Sequence, residues 1–255
     1  MVVISRIAAA LVLAWGLVSV PALAQDFSAP QKKQIEEIVR DYLLTNPEIL
    51  RDAYAALETK QARAEAEQRS GALKTYSDLL TKSPYQANVG NPKGKVTLVE
   101  FFDYNCGYCK QALPDLQRLI KEDADLHVVL KDFPVLGPGS VEAAQVAIAV
   151  KKQLQGEKFW AFHVKLLGTR GQVGKAQALA AARDSGVDMD KLAKDMEGPE
   201  VQATLQESAK LADALNLTGT PTYVVGDEVV VGAVGYGQIK GKLDNVRKCG
   251  KATCG

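Results

Sequence analysis

The chain has 255 residues, among which 31 Lys and Arg nearly balance 30 Asp and Glu, and only four are Cys. Such a balance gives no electrostatic footprint for nucleic acid or for an anionic membrane surface. Four cysteines are too few for a disulfide scaffold of this length, so each one is interpreted individually.

The first 24 residues have the pattern of a secretory signal peptide. Arg6 is their only charged residue, an apolar run "IAAALVLAWGLVSV" follows, and Ala22, Leu23 and Ala24 form a small-x-small cleavage site. The alternative is a membrane anchor, but the run is short for a span of about 20 residues. Residues 1–24 are therefore predicted to be removed, which leaves an exported chain in a compartment where disulfides persist.

Residues 25–90 are predicted to form a helical arm and a linker. Ser28 is a candidate N-cap, and Asn46 with Pro47 restarts the helix. Two apolar stripes at helical spacing precede a polar segment, residues 58–71, which is weakest at Ser70 and Gly71. The stripes contain Ile35, Ile38, Val39, Tyr42 and Leu43, and then Ile49, Leu50, Ala53, Tyr54 and Leu57. They either fold back on the chain's own domain or associate with other copies, and the spacer favours self-association through residues 25–80.

Residues 91–255 are predicted to be an α/β domain. Residues 95–103 and 126–133 are apolar strands joined by a helix over 106–121, broken or kinked near Pro114, and this βαβ unit implies parallel pairing. A helical insertion follows at about 139–216. A hairpin turning at Gly226 and Asp227 and a last helix over 236–248 complete the domain.

The sequence "NCGYC" places Cys106 and Cys109 between a buried strand and a helix. Such a pair can be a redox dithiol, half of a zinc site or a structural disulfide. At a helix N-terminus, unpaired N–H groups and the helix dipole favour an anion, so Cys106 is predicted to be the attacking thiolate and Cys109 the resolving thiol. This arrangement resembles thioredoxin. In such folds a cis-proline faces the dithiol and its neighbouring backbone binds substrate, a role that the resemblance gives to Thr220 and Pro221.

Within thioredoxin-like proteins, "VEFFDYNCGYCK" and the helical insertion are similar to the DsbA family, and "DYLLTNPEIL" is similar to its ScsC-like branch. The resemblance implies a thioredoxin fold with an inserted helical domain, preceded by a helical oligomerisation arm. It also implies a proton-transfer role for Glu100 as a buried acid, assembly into oligomers including trimers, disulfide isomerase activity and a link to copper tolerance.

The direction of the reaction depends on Gly107 and Tyr108, which stand where DsbA has Pro-His. Tyrosine offers only a neutral donor to the thiolate, so a less extreme thiol pKa and a less oxidising pair are predicted. Both residues, together with Thr220 and Pro221, are assigned to substrate binding. Isomerase or reductase activity is favoured over oxidase activity.

The remaining candidates are weaker. Cys249 and Cys254 are predicted to form a local structural disulfide, with a second redox or metal pair as the alternative. His127 and His163 lack partners at ligand spacing, and no zinc site or other cofactor is predicted, although the thiolates could hold Cu(I).

The sequence thus predicts a periplasmic thiol-disulfide oxidoreductase. Its expected partners are exported proteins containing cysteine and a membrane redox protein. A monomeric DsbA-like oxidase and a Cu(I)-binding protein remain as alternatives.

Overall fold

The computed structural model describes residues 26–255, so the predicted signal peptide lies outside the described residues. The described chain divides into two compact units, residues 26–58 and residues 59–255. Among these residues, no helix has both the length and the apolar character that a bilayer span requires.

The first unit contains α1 (Ala29–Thr45) and the start of α2 (Glu48–Thr75). Ser28 is the N-cap of α1, as predicted, and its backbone N–H donates to the side chain of Gln31 at 2.9 Å. Asn46 is the C-cap of α1, where its N–H donates to the carbonyl of Tyr42, and its own carbonyl accepts from the N–H of Ile49 at the start of α2. No residue of α1 is buried, and the large apolar side chains of this unit that lie exposed are Phe27, Ile35, Ile38, Val39, Tyr42, Leu44, Leu50, Tyr54 and Leu57.

The second unit is built on a five-stranded mixed sheet. Its strands are β1 (Ala87–Gly90), β2 (Val96–Phe102), β3 (Leu126–Asp132), β4 (Thr222–Val225) and β5 (Glu228–Val231), in the order β1-β3-β2-β4-β5. β2 and β3 pair in parallel, which confirms the predicted βαβ unit, and the other pairs are antiparallel. The helix between them, α4 (Gly107–Glu122), continues through Pro114 and is not broken there.

Helices cover both faces of this sheet. The predicted insertion is confirmed as five helices, and α10 closes the domain. The insertion comprises α5 (Pro138–Val150), α6 (Gly156–Leu167), α7 (Lys175–Asp184), α8 (Met189–Met196) and α9 (Pro199–Ala214), and α10 is Tyr236–Cys249. Side chains of β2 alternate between two cores, so that Leu98 and Phe102 join the core containing the dithiol, while Val99 and Phe101 join the other.

The second unit begins earlier than the predicted boundary at residue 91. α2 runs without a break through Ser70 and Gly71, and Leu73 is buried in the second core. Leu80 of α3 (Ser77–Thr81) is only 2% exposed in the same core, and β1 pairs with β3. The sequence does not indicate this boundary, because only a few apolar residues, such as Leu73 and Leu80, lie between the polar segment and β1. Because these residues belong to the second unit, the surface predicted to mediate oligomerisation is limited to the exposed apolar residues of the first unit and no longer extends over residues 25–80.

Candidate active site

The dithiol lies where β2 passes into α4. Cys106 is the N-cap of α4, with φ −72° and ψ 117°, and Cys109 is in the first turn of the helix. Both cysteines are free thiols and both are buried, Cys106 at 5% exposure and Cys109 at 0%. Gly107 and Tyr108 stand between them, and the side chain of Tyr108 is 67% exposed.

The Cys106 sulfur faces the loop before β4, as the thioredoxin resemblance implies. The Thr220-Pro221 peptide bond is cis, and the Cys106 thiol donates to the carbonyl oxygen of Thr220 at 3.1 Å. Thr220 and Pro221 are separated from the dithiol by more than 100 residues of sequence, and the antiparallel pairing of β2 with β4 brings them together. The structure thus places these four residues at one site.

The surroundings of Cys106 stabilise its thiolate. A hydrogen bond from the Cys109 thiol has the largest effect, and it lowers the pKa of Cys106 to about 5 from an ordinary value of 9.0, although burial opposes it. The Thr220 side chain and the backbone N–H groups of Cys109 and Tyr108 contribute further, and the Cys109 N–H lies 3.4 Å from the sulfur. The contact with the Thr220 carbonyl favours the protonated thiol instead. The pKa of Cys106 is nevertheless lowered overall, because the hydrogen-bond donors around the sulfur outweigh this contact.

Cys109 has the opposite environment. Its hydrogen bond to Cys106, its burial and the negative charge of Glu100 all raise the pKa of the Cys109 thiol well above its ordinary value. Near neutral pH the pair therefore consists of one thiolate and one thiol. A pair split in this way can attack a disulfide through Cys106, whereas Cys109 must lose a proton before it reacts.

Glu100 lies on the dithiol side of β2, only 2% exposed. Burial raises the pKa of Glu100 to about 8, a hydrogen bond from Tyr223 opposes this rise, and the charge of Cys106 adds to it. Its Oε2 has no hydrogen-bond partner among the described residues. A buried carboxyl group with a pKa near neutrality can both accept and return a proton.

Two polar residues before the dithiol fix the loop that carries it, although neither is among the site residues predicted from the sequence. The carboxylate of Asp103 accepts from the N–H groups of Asn105, Val135 and Leu136 at 2.7, 2.8 and 3.0 Å. The Asn105 side chain in turn bonds both the N–H and the carbonyl of Val173. The dithiol loop is thereby tied to the loop before the helical insertion and to the loop between α6 and α7 within it. Only their position beside Cys106 in "DYNC" could have indicated this role.

The other candidate residues lie elsewhere. Cys249 and Cys254 form a disulfide with an S–S distance of 2.16 Å. It lies near the C-terminal end of β4, where the Ala252 N–H donates to Asp227, whereas Pro221 precedes the N-terminal end of that strand. The His127 ring lies 2.8 Å from the amide oxygen of Asn88, and His163 is fully buried among aromatic rings. In residues 26–255, no group of three or more His, Cys, Asp or Glu side chains is arranged to hold a metal ion.

Residues 97–244, more than half of the chain, match the family described as the DSBA-like thioredoxin domain. The chain belongs to this family. Residues 31–64 match the copper resistance protein ScsC N-terminal domain, which makes the chain a ScsC-like member of the DsbA family and confirms the resemblance stated from the sequence.

Solved structures of this family agree with the fold. The chain is 41% identical to a thioredoxin-like oxidoreductase from Silicibacter pomeroyi, with a TM-score of 0.64, covering 68% of this chain and 98% of that one. It is 29% identical to a linker-deletion mutant of ScsC from Proteus mirabilis, with a TM-score of 0.68, covering 89% of this chain and 99% of the other.

Curated relatives include enzymes of this family and longer proteins. The chain is 27% identical to thiol:disulfide interchange protein DsbA of Bordetella parapertussis over 71% of this chain and 85% of that protein. It also matches two Na⁺/H⁺ antiporters of Salinispora, at 29% and 28% identity, but spans only 22% and 24% of their length. The domain is therefore that of a thiol-disulfide oxidoreductase family.

Proposed function

We propose that this protein is an exported, periplasmic thiol-disulfide oxidoreductase that acts on cysteine-containing proteins, most of all as a disulfide isomerase or reductase. The single observation that carries the proposal is the asymmetric setting of the dithiol: the Cys106 sulfur lies at the N-terminus of α4, 3.1 Å from the Thr220 carbonyl oxygen, while Cys109 is completely buried, so that the pKa of Cys106 is lowered and that of Cys109 is raised. The export part rests on the signal pattern of residues 1–24.

The proposed reaction follows from this geometry. The Cys106 thiolate attacks one sulfur of a substrate disulfide, forms a mixed disulfide and releases the other substrate sulfur as a thiolate. Cys109 then gives its proton to Glu100 and attacks the Cys106 sulfur, so that the Cys106–Cys109 disulfide forms and the second substrate sulfur leaves. The substrate gains two electrons in the full cycle. In isomerisation, a second substrate thiolate displaces Cys106 before Cys109 does, and no net electrons are transferred.

Two features support the isomerase direction. The pKa of Cys106, about 5, is above the value of about 3.5 known for the strongly oxidising DsbA. Tyr108 is exposed and carries no positive charge that would stabilise the thiolate further. A less stabilised thiolate makes the dithiol less oxidising, and isomerisation requires the reduced form. A membrane protein that keeps the dithiol reduced would then be the redox partner.

Self-association is proposed through the first unit, with a trimer as the preferred form. Nine large apolar side chains between Phe27 and Leu57 are exposed, and a run of this kind on a soluble chain marks an interaction surface. Several catalytic domains on one assembly would present their thiols to one substrate at high effective concentration, which favours isomerisation. The solution mass of the mature chain, with and without residues 25–58, tests this. A monomeric mature chain would contradict self-association and favour the oxidase alternative.

Substrate trapping tests the central proposal. Cys109→Ala should accumulate mixed disulfides between Cys106 and protein substrates, which appear as reductant-sensitive bands on non-reducing gels. The matched control, Cys106→Ala, keeps one thiol of the pair but should trap nothing. If Cys109→Ala also traps nothing, the enzymatic proposal fails. Refolding of a scrambled-disulfide substrate, measured beside oxidation of a reduced substrate, then distinguishes isomerase from oxidase.

Binding of Cu(I) is a second candidate function. Cys106 and Cys109 are hydrogen-bonded to each other, soft thiolates suit Cu(I), and residues 31–64 match a domain named for copper resistance. A protein that sequesters Cu(I) would lose affinity in both Cys106→Ala and Cys109→Ala without trapping any substrate. Titration with Cu(I) under anaerobic conditions, using a competing chelator, measures this directly.

A further inference from the structure

The proton that Glu100 receives from the resolving thiol has no direct exit to solvent. Glu100 is 2% exposed and one of its oxygens has no hydrogen-bond partner among the described residues. Cys109, on its other side, is completely buried. Each catalytic cycle must nevertheless move a proton to and from this carboxyl group, because Cys109 is a thiol in the reduced protein and part of a disulfide in the oxidised one. A polar route from Glu100 to the surface is therefore required.

Tyr223 is placed to provide the first part of that route. It stands directly opposite Glu100 in the antiparallel pairing of β2 with β4, so the two side chains share the dithiol face of the sheet. It is 4% exposed, and its hydroxyl hydrogen-bonds the Glu100 carboxyl group. A phenol in an apolar core needs a polar partner, and here the partner is the proposed proton acceptor.

The second part of the route is a small cavity beyond Tyr223. Its volume is about 10 Å³, close to what one water molecule requires, and it is lined by Tyr223, Asp115 and five apolar or glycine residues, namely Ala112, Leu116, Leu119, Gly235 and Ile239. Asp115 lies on α4, is partly exposed, and accepts from the backbone N–H of Tyr236 at 3.0 Å. The Asp115 carboxylate is also close enough to act electrostatically on the Tyr223 hydroxyl.

We propose that Tyr223 is a proton-relay and positioning residue that connects Glu100 with Asp115 when the resolving thiol ionises. The proton leaves Cys109, binds Glu100, and is exchanged through the Tyr223 hydroxyl and the cavity toward Asp115. The proton that Cys109 loses when the Cys106–Cys109 disulfide forms is thereby transferred to solvent. The reverse path returns the proton on reduction. This inference rests on the proposed function, because it assigns a residue to the resolving step of that reaction.

Among the described residues, the charged and titratable groups that face the route are Cys106 and, beside Asp115, Arg118. Glu100 is faced by Tyr223 from β4 and by Cys106 and Cys109 from the start of α4. Tyr223 is faced by Glu100, Cys109 and Asp115. α10 contributes only Gly235, its N-cap, and Ile239 to the cavity wall. A change at the Tyr223 hydroxyl should therefore act on the pH dependence of the resolving step alone.

Tyr223→Phe tests the relay because it removes one oxygen from a buried ring. The probe is an aromatic disulfide whose thiolate product absorbs visible light, mixed with the reduced full-length protein in a stopped-flow instrument between pH 5 and 9. A first phase reports attack by Cys106, and a second phase reports attack by Cys109 on the mixed disulfide. In Tyr223→Phe the first phase should be unchanged. The second should slow by about tenfold at pH 7, with its pH midpoint about one unit higher, because a hydrogen bond that lowers the pKa of Glu100 is lost.

Two further variants make the result decisive. In a Glu100→Gln background, Tyr223→Phe should have no additional effect on the second phase, since both changes interrupt one route. Tyr76→Phe, a matched change on the opposite face of the sheet, should leave both phases unchanged. An unshifted pH midpoint in Tyr223→Phe, or an equal slowing in the Glu100→Gln background, would overturn the relay. If Cys109→Ala also fails to trap protein substrates, the proposed function fails instead, so the two failures are distinguishable.

Discussion

Ionisation of Cys106 should make the stability of the reduced protein depend on pH. The thiol has a pKa of about 5 in the folded protein and 9.0 as its ordinary value, so folding lowers it. A lowered pKa stabilises the folded state fully above pH 9 and loses this contribution as the pH falls through 5. At pH 7 the folded group is ionised and the unfolded group is protonated. Because pH 7 lies two units above the folded pKa, ionisation of Cys106 should add about 2.7 kcal/mol to the free energy of unfolding at this pH.

Comparison of the wild type with Cys106→Ser isolates this contribution, because serine has nearly the same shape and does not ionise. Urea unfolding of both reduced proteins, followed by far-ultraviolet circular dichroism in the presence of a phosphine reductant, gives their free energies of unfolding from pH 4 to 7. The difference between the two proteins should be small at pH 4. It should grow by up to about 2.7 kcal/mol at pH 7 in favour of the wild type.

Other buried acids do not disturb this comparison. Burial raises the pKa of Glu100 to about 8 and that of Asp132 to about 7, so both destabilise the folded state as the pH rises toward those values. The effects are present in both proteins and cancel in the difference. The exception is the part of the Glu100 shift that the Cys106 charge causes, which reduces the difference slightly. A difference that stays constant from pH 4 to 7 would refute the thiolate assignment.

Three further predictions concern individual contacts. Thr220→Val removes the hydroxyl that stabilises the thiolate, so the pKa of Cys106 should rise by about one unit, measured by thiolate absorbance at ultraviolet wavelengths. Lys131→Met removes the cation that lies 2.8 Å from the nearly buried carboxylate of Glu207, leaves only the Ser83 hydroxyl as a donor, and should lower the free energy of unfolding by about 3 to 5 kcal/mol, with recovery when Glu207→Leu is added. Replacement of both Cys249 and Cys254 by Ser should cost about 2 kcal/mol in urea unfolding and leave trapping by Cys109→Ala unchanged, whereas a loss of trapping would contradict a purely structural disulfide.

The sequence was most informative where local chemistry determines structure. Ser28 before an amphipathic run predicts the start of α1, and Cys106 between an apolar strand and a helix predicts a thiolate at an N-cap. Both predictions depend on residues within one or two helical turns. The partnership of Cys106 with Pro221 was predicted only from the thioredoxin resemblance, because the distance between them in sequence carries no local pattern.

Features that depend on strand register were not predictable in this way. β1 is four residues long and pairs with β3, but the Gly and Pro residues around it indicate a loop. Tyr223 is recognisable from sequence as part of a strand, yet its position opposite Glu100 follows only from the pairing of β2 with β4. Likewise Lys131 is recognisable as part of a strand, but its burial at 1% exposure requires the carboxylate of Glu207 on α9, 76 residues away in the sequence.

The coupling between Cys106 and Glu100 orders the two steps of the proposed reaction. Burial is the main cause of the raised pKa of Glu100, about 8, and the charge of the Cys106 thiolate adds to it, so in the reduced protein this carboxyl group is largely protonated at pH 7. Formation of a mixed disulfide removes that charge, and the pKa of Glu100 falls. We therefore expect Glu100 to accept a proton from Cys109 more readily once the substrate is attached. Since Cys109 remains buried, its attack still waits for a proton to leave, and this delay gives a bound substrate time to rearrange its own disulfides, as the proposed isomerase activity requires.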